Sequence, residues 1–184
     1  EDVRPKAAMS AAVGAGPDLV SGWHDDPWLY PDKLLDVTDV AEYLGAKYGG
    51  WEEACIKYGM KDGRWIAIPM GAPGQQIVYR KSWADEAGYD KFPETTDEFI
   101  KCCKKLNSMG HPVGFALGHS VGDGNNFAYT WLWSYGASTV DADGKPAINS
   151  PETRNALDGM KELYSAMIPG CASWQDSHNN KAFL

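Results

Sequence analysis

The sequence has few positive charges for its size and no long apolar run. Of its 184 residues, 17 are lysine or arginine and 25 are aspartate or glutamate, which gives a net charge of -8 at pH 7. A chain with this charge repels phosphate backbones and anionic lipid headgroups, so no nucleic acid or membrane surface is predicted as a partner. No apolar stretch approaches the ~20 residues that a membrane-spanning helix needs. The 43% hydrophobic content is typical of a globular protein.

The sequence also lacks the short motifs that mark common catalytic and metal centres. It contains no phosphate-binding loop, no G-x-S-x-G and no H-E-x-x-H. The four cysteines show no C-x-x-C or Cys/His spacing, so no cysteine-based metal site is predicted, and no cofactor is predicted either. Cys102 and Cys103 share one side of a predicted helix with Phe99 and Leu106, and we expect both to be small buried core residues.

Aromatic residues are abundant, and they are concentrated beside acidic residues in one stretch. The sequence has eight tryptophans, and "SGWHDDPWLY", residues 21–30, holds two of them with a tyrosine, a histidine and two acidic residues. A metal site, a catalytic carboxylate pair and a surface for a polar ligand all remain open. Rings can stack on the C–H faces of a sugar while carboxylates accept hydrogen bonds from its hydroxyls, so we favour the third interpretation. Its candidate ligand-binding residues are Trp23, His24, Asp25 and Trp28.

The order of predicted elements indicates an α/β fold with a substantially parallel sheet. In such sheets ligands bind beyond the carboxyl ends of strands, and residues 21–30 follow one such predicted end. Helices are predicted over residues 4–16, 34–45, 51–60, 82–89, 95–110, 125–136 and 151–167, and strands over residues 17–22, 65–68, 75–81 and 112–117.

A second polar cluster follows the predicted strand at residues 112–117. Its candidate ligand-binding residues are His119, Asp123 and Asn126. The alternative for Asn125 or Asn126 is a structural one, in which either side chain caps the helix that contains Phe127.

Local signals predict where several elements begin and end. Thr95 and Glu98 form a T-x-x-E capping box before a helix, and Ser150 precedes a proline at the start of another. Asp62 and Gly63 form a predicted hairpin turn.

Several motifs in order resemble the extracellular solute-binding proteins of bacterial ABC importers, in the sugar-binding, maltose-binding-protein-like branch. Arg80 stands where the family usually has asparagine, and Thr96 where it usually has tryptophan; we expect both positions to be structural. The motifs are "AGPDLV", "LLDVTD", "KDGRWIAIP", "IVYRKSWADEAGYDKFPETTDEFIK", "DADGKPAINSPETRNAL" and "SWQDSHNNKAF".

The resemblance implies a two-lobed, type II-like periplasmic-binding-protein fold. Residues 1–72 would form part of lobe 1 and residues 73–184 part of lobe 2, with a hinge crossing near residues 70–76. The chain starts at Glu1 and ends on "KAFL", and we expect a piece of a longer protein, with the fold incomplete at both ends. Residues 21–30 and the second cluster would then line one cleft between the lobes.

The resemblance also implies a function. The chain would bind a carbohydrate, whether a sugar, an oligosaccharide or a polyol, and deliver it to the membrane permease of an ABC transporter. It would act as a monomer in the periplasm or outside the cell, and not as an enzyme. The resemblance assigns ligand contacts to Asp25, Trp174 and Asp176. The same fold binding a non-sugar solute and a carbohydrate-active enzyme remain the alternatives.

Overall fold

The computed structural model describes residues 3–71, 74, 76–119 and 121–184. The chain divides into two compact units, Glu1–Gly74 and Gln75–Leu184. Half of the predicted hinge, "GAPGQQ" at residues 71–76, lies outside the described residues, namely Ala72, Pro73 and Gln75. The assignment of residues 1–72 and 73–184 to two lobes stays a prediction. Within the described residues, no helix combines the length and the apolarity needed to cross a membrane.

The first unit is built from three helices and one short hairpin around a small core. Trp65 and Ala41 are buried, and the indole N–H of Trp51 donates to the Ala41 carbonyl at 2.9 Å. The hydroxyl of Thr38 accepts a hydrogen bond from the Trp65 N–H at 2.9 Å, which ties the second helix to the hairpin. The elements are α1 (Val3–Val13), α2 (Thr38–Tyr48), α3 (Glu53–Gly59), β1 (Met60–Lys61), β2 (Arg64–Trp65) and two 3₁₀ turns, Asp26–Leu29 and Pro31–Lys33.

The hairpin confirms the predicted turn but not the predicted strand length. Asp62 and Gly63 have φ angles of 51° and 81°, the positive values that a tight two-residue hairpin needs and that Asp-Gly provides. Strand β2 ends at Trp65, whereas the sequence predicted a strand to Ile68. The β1–β2 pair is antiparallel and only two residues long on each side.

The second unit is a helical layer with its core between three long helices. Leu163, Cys103 and Cys171 are fully buried, and the indole N–H of Trp131 donates to the Ala156 carbonyl at 2.7 Å. The elements are α4 (Lys81–Glu86), α5 (Thr96–Ser108), α6 (Asp123–Ser134), α7 (Pro151–Tyr164), a 3₁₀ turn at Cys171–Ser173 and α8 (His178–Phe183).

The buried positions predicted on α5 are confirmed, and α6 also has a buried side. Cys102 and Cys103 are 6% and 1% exposed, and Trp131 is buried whereas Trp133 is 61% exposed. Burial raises the pKa of the Cys103 thiol to about 12. This thiol therefore stays protonated at neutral pH and acts as a small apolar residue rather than a nucleophile.

Three predicted strands do not form within the described residues. Residues 17–22 and 76–81 carry no strand there, and residues 112–117 contribute only a single parallel bridge, from Val113 to Met167. Leu19 is 90% exposed. An extended apolar segment becomes a strand only when a neighbour takes its backbone hydrogen bonds. The predicted parallel sheet is therefore not formed by the described residues. Among these residues the one sheet is the antiparallel β1–β2 hairpin.

Removing the predicted cap of α5 should destabilise the second unit. The Thr95 hydroxyl accepts a hydrogen bond from the Glu98 N–H at 3.2 Å, while the Glu98 carboxylate accepts from the Glu94 N–H at 3.3 Å. We expect Thr95→Ala to lower the free energy of unfolding by about 1 kcal/mol, because one N–H of the first turn loses its acceptor. Urea denaturation measures this, and Thr95→Ser should keep most of the wild-type stability. Equal midpoints for the alanine variant and wild type would contradict it.

Candidate functional site

The aromatic and acidic stretch at residues 21–30 is fixed by an arginine from α1. The Arg4 Nη2 atom donates to Asp25 Oδ1 at 2.6 Å, and Arg4 Nε lies 2.5 Å from Asp26 Oδ1. Partial burial lowers the pKa of Arg4, but the hydrogen bonds and charges of Asp25 and Asp26 together outweigh it and raise this pKa overall. The second oxygen of Asp26 accepts the Trp23 N–H at 2.7 Å. One guanidinium thus orients both carboxylates of the stretch.

The rings of this stretch are attached to α3 and remain half exposed. The Trp28 indole N–H donates to the Tyr58 carbonyl at 3.0 Å, and the His24 ring meets the Tyr58 ring edge-on, with centroids 4.7 Å apart. Trp23 and Trp28 keep 43% and 44% of their surface exposed. The attachments order the stretch before any ligand arrives while leaving ring surface available, an arrangement that lowers the entropic cost of binding.

Asp25 is the acceptor of this surface that a ligand can reach. Its side chain is 51% exposed, whereas that of Asp26 is 18% exposed. The Arg4 contact holds the Asp25 carboxylate in one orientation, which suits it to accept hydroxyl hydrogen bonds. We refer to Trp23, His24, Asp25 and Trp28 with Arg4 as the loop surface.

In the second unit, two distant segments meet at the start of α6. The Asp176 carboxylate accepts the Asp123 N–H at 3.0 Å, and the Asn179 side-chain amide donates to Asp123 Oδ2 at 2.7 Å. The Gly118 N–H donates to the Trp174 carbonyl at 3.1 Å. We refer to residues 117–119, 121 and 122, the first turn of α6 and residues 174–179 as the α6 corner.

The alternative role of Asn125 or Asn126 as the cap of α6 is wrong. The helix begins at Asp123, so both asparagines lie within its first turn, and the Asn126 N–H donates to the Gly122 carbonyl as an ordinary helical bond. An orphan N–H of the first turn is satisfied instead by Asp176. A local sequence pattern does not reveal an acceptor 53 residues away. The amide of Asn126 is thereby left without the predicted capping role.

The predicted contact residue Trp174 has a clear packing role. Its ring packs against the buried core, and a Cβ at Gly114 would lie 2.7 Å from Trp174 Cζ3, so the ring takes the space beside this glycine. The ring also stacks on that of His178, at 6.4 Å between centroids. His119 is exposed. The roles of Trp174 and His119 as ligand contacts stay predictions.

The structure therefore groups the predicted residues into two separate sets. Asp25 lies with Trp23, His24 and Trp28, and Asp123 lies with Asp176. A cleft shared by the two sets stays a prediction. In the part of the chain that the structure describes, no group of three or more His, Cys, Asp or Glu side chains could hold a metal ion. The sequence analysis missed three residues that hold these sets in place, namely Arg4, Tyr58 and Asn179. Each contacts a residue far away in the sequence, and no local sequence signal indicates such a pair.

Both sets combine carboxylate oxygens with aromatic or amide groups. Comparison with known proteins shows to which family the chain belongs. The model of the bacterial extracellular solute-binding protein family matches residues 1–176. The chain belongs to this family. Its members are extracellular or periplasmic proteins that bind solutes for ABC transporters, which confirms the resemblance read from the sequence.

Curated solute-binding proteins show the same relationship at moderate identity. An ABC transporter periplasmic-binding protein of Escherichia coli (strain K12) is 27% identical over 175 residues, covering 90% of this chain and 40% of its own length. A binding protein of Brucella abortus (strain 2308) is 27% identical over 140 residues, covering 72% of this chain and 33% of its own. The chain thus spans well under half the length of these relatives.

Solved solute-binding proteins establish the fold. Maltose-bound MalE3 of T. maritima superposes with a TM-score of 0.74 at 23% identity, over 96% of this chain and 46% of that one. UgpB of Mycobacterium tuberculosis, in complex with glycerophosphocholine, gives 0.65 at 19% identity, over 98% and 48%. The predicted periplasmic-binding-protein fold is therefore confirmed, although its strands are sparse among the described residues.

Proposed function

We propose that this solute-binding protein takes up a carbohydrate and passes it to the membrane permease of an ABC transporter. It does so as a monomer in the periplasm or outside the cell, and it does no chemistry on its ligand. The observation that carries the proposal is the loop surface, where Arg4 holds the half-exposed carboxylate of Asp25 beside the exposed rings of Trp23 and Trp28. A polyhydroxylated ligand with apolar faces matches this combination.

The α6 corner adds a second set of polar groups to the proposal. Asp123, Asn126 and Asp176 offer carboxylate and amide oxygens, and His119 is exposed beside them. Hydroxyl groups donate to such oxygens, so the corner supports the same ligand class as the loop surface. MalE3, a relative in fold, is a maltose-bound structure, and maltose is therefore the first ligand to test.

A second candidate ligand is a choline-containing solute such as glycerophosphocholine, which is bound in the structure of the relative UgpB. Rings beside carboxylates attract a quaternary ammonium group. The phosphate of the same ligand is disfavoured by a chain with a net charge of -8. Carbohydrate is for this reason the first choice.

A thermal-shift titration with maltose and with glycerophosphocholine tests the proposal, because a ligand that binds only the folded state raises the unfolding temperature. We expect maltose to raise it and glycerophosphocholine to leave it unchanged. Tryptophan fluorescence should change in the same maltose titration, because Trp23 and Trp28 are half exposed. If only glycerophosphocholine raised the unfolding temperature, the ligand would be the choline-containing solute and not a sugar. Hydrolysis of added oligosaccharides would contradict the binding-only function.

A further inference from the structure

Arg80 connects the start of α4 to the last helix of the second unit. Its guanidinium carbon lies 5.0 Å from the centroid of the Trp83 ring and 4.8 Å from that of Phe183. Its Nη2 atom also donates to the Phe183 carbonyl at 2.5 Å. The Trp83 ring is itself stacked on His111, with centroids 4.0 Å apart and planes at 8°. Arg80 thus connects helix α8 to the Trp83 ring, which is held by its stacking on His111. Arg80 and Phe183 are 103 residues apart in the sequence.

Helix α8 depends on such contacts because its own packing is weak. It has six residues, His178–Phe183, and none of them is buried. A helix this short is not stable alone in water, and burial of an apolar face does not hold it here. Contacts at its two ends hold it: Arg80 on Phe183 at one end, and at the other Asn179 on Asp123 together with the stacking of His178 on Trp174.

The two ends of α8 are on one side of the helix. Asn179 and Phe183 are four residues apart, and residues at this spacing are neighbours on a helix surface. A shift of Phe183 therefore moves Asn179. Asn179 donates to Asp123 Oδ2 at 2.7 Å, and this carboxylate belongs to the α6 corner.

We propose that Arg80 is a positioning residue for the α6 corner: by holding Phe183 it fixes α8, and through Asn179 it sets the orientation of the Asp123 carboxylate. This inference rests on the proposed function, because it assigns Asp123 a ligand. The guanidinium is required for its shape as well as its charge. It is planar and can lie against rings while donating to a carbonyl, whereas a lysine ammonium is a point charge without a flat face.

A double-mutant cycle tests the coupling, with maltose as the probe and isothermal titration calorimetry as the measurement. We expect Arg80→Ala and Asn179→Ala each to weaken maltose binding by about 3–10-fold, because the Asp123 carboxylate stays in place but loses its fixed orientation; this is within the range of one ordinary hydrogen bond. The double variant should be no weaker than either single variant, because both remove the same connection. Losses that multiply would overturn the proposal. Arg80→Lys should behave like Arg80→Ala, and a wild-type affinity for the lysine variant would also overturn it.

A ligand-free measurement separates this proposal from the proposed function. The Asn179 side-chain amide should show a distinct pair of proton signals in the NMR spectrum of wild type, because it is bonded to Asp123. In Arg80→Ala these signals should move to the positions of a solvated amide. The control Lys81→Ala removes only the exposed pair with Asp85 and should leave them in place. If wild type fails to bind maltose, the proposed ligand is wrong, and unchanged Asn179 signals in Arg80→Ala would separately overturn the role of Arg80.

Discussion

Replacing Asp25 by alanine should weaken maltose binding by about 1.5–3 kcal/mol, roughly 10- to 150-fold, the range for a hydrogen bond to a charged group. Asp25 is the exposed acceptor of the loop surface, and Arg4 holds it in one orientation at 2.6 Å. The variant removes this acceptor and leaves the rings of Trp23 and Trp28. Isothermal titration calorimetry on the protein measures the change.

The fold of the loop should survive this change, because Arg4 keeps its second partner. Its Nε atom lies 2.5 Å from Asp26 Oδ1, so α1 and the loop stay connected without Asp25. Asp32→Ala is the matched control: that side chain is 88% exposed and only 3.7 Å from a lysine ammonium. We expect the control to bind like wild type. Wild-type affinity in Asp25→Ala, with an unchanged far-UV spectrum, would show that the ligand does not use this carboxylate.

Gly159→Ala should destabilise the second unit, although alanine is the better helix former. Gly159 is buried in the middle of α7, and the substitution by itself would stabilise a helix by about 1 kcal/mol. The added Cβ would lie 2.8 Å from Tyr135 Cζ, closer still to the Tyr135 hydroxyl, and 3.3 Å from Trp131 Cζ2. Overpacking of a filled core costs about 1–3 kcal/mol, and contacts this close belong at the upper end. We expect a net loss of about 2 kcal/mol.

The loss is expected because the neighbouring rings have little room to move. The Trp131 indole is buried and bonded to the Ala156 carbonyl at 2.7 Å, and the Tyr135 ring is packed on it at 5.4 Å between centroids. Urea denaturation compares Gly159→Ala with Asp158→Ala, an exposed neighbour on the same helix that gains propensity without a clash. A Gly159→Ala variant as stable as wild type would show that Tyr135 can move aside.

The features that the sequence predicted well are those decided by a few neighbouring residues. The Ser150 hydroxyl accepts the Thr153 N–H at 3.2 Å, and Thr95 accepts from Glu98 in the same way. Such caps depend on residue type and spacing within one turn of helix. The Asp62-Gly63 turn is likewise set by the backbone angles that these two residues tolerate.

The features that the sequence could not predict depend on partners far along the chain. Residues 17–22 and 76–81 have the apolar content of strands. Whether a strand forms depends on hydrogen bonding to a neighbouring strand, and the sequence of the segment itself does not show whether such a neighbour is present. The Arg4 contact to Asp25 spans 21 residues, and the Asp176 contact to Asp123 spans 53. The sequence therefore identified acidic and aromatic candidates without revealing which cation or amide fixes each of them.

The contact between Asp176 and the start of α6 has a consequence for the order in which the second unit folds. Helix α6 ends at Ser134, yet the acceptor for the Asp123 N–H is synthesised 53 residues after Asp123. Closing a loop of this length costs chain entropy before the contact forms, and contacts distant in sequence slow folding. During folding the first turn of α6 should therefore stay frayed until residues 174–179 dock. Pulsed hydrogen exchange should find the Asp123 amide protected later than the amides in the middle of α7, and the α6 corner would be the last part of the unit to become ordered.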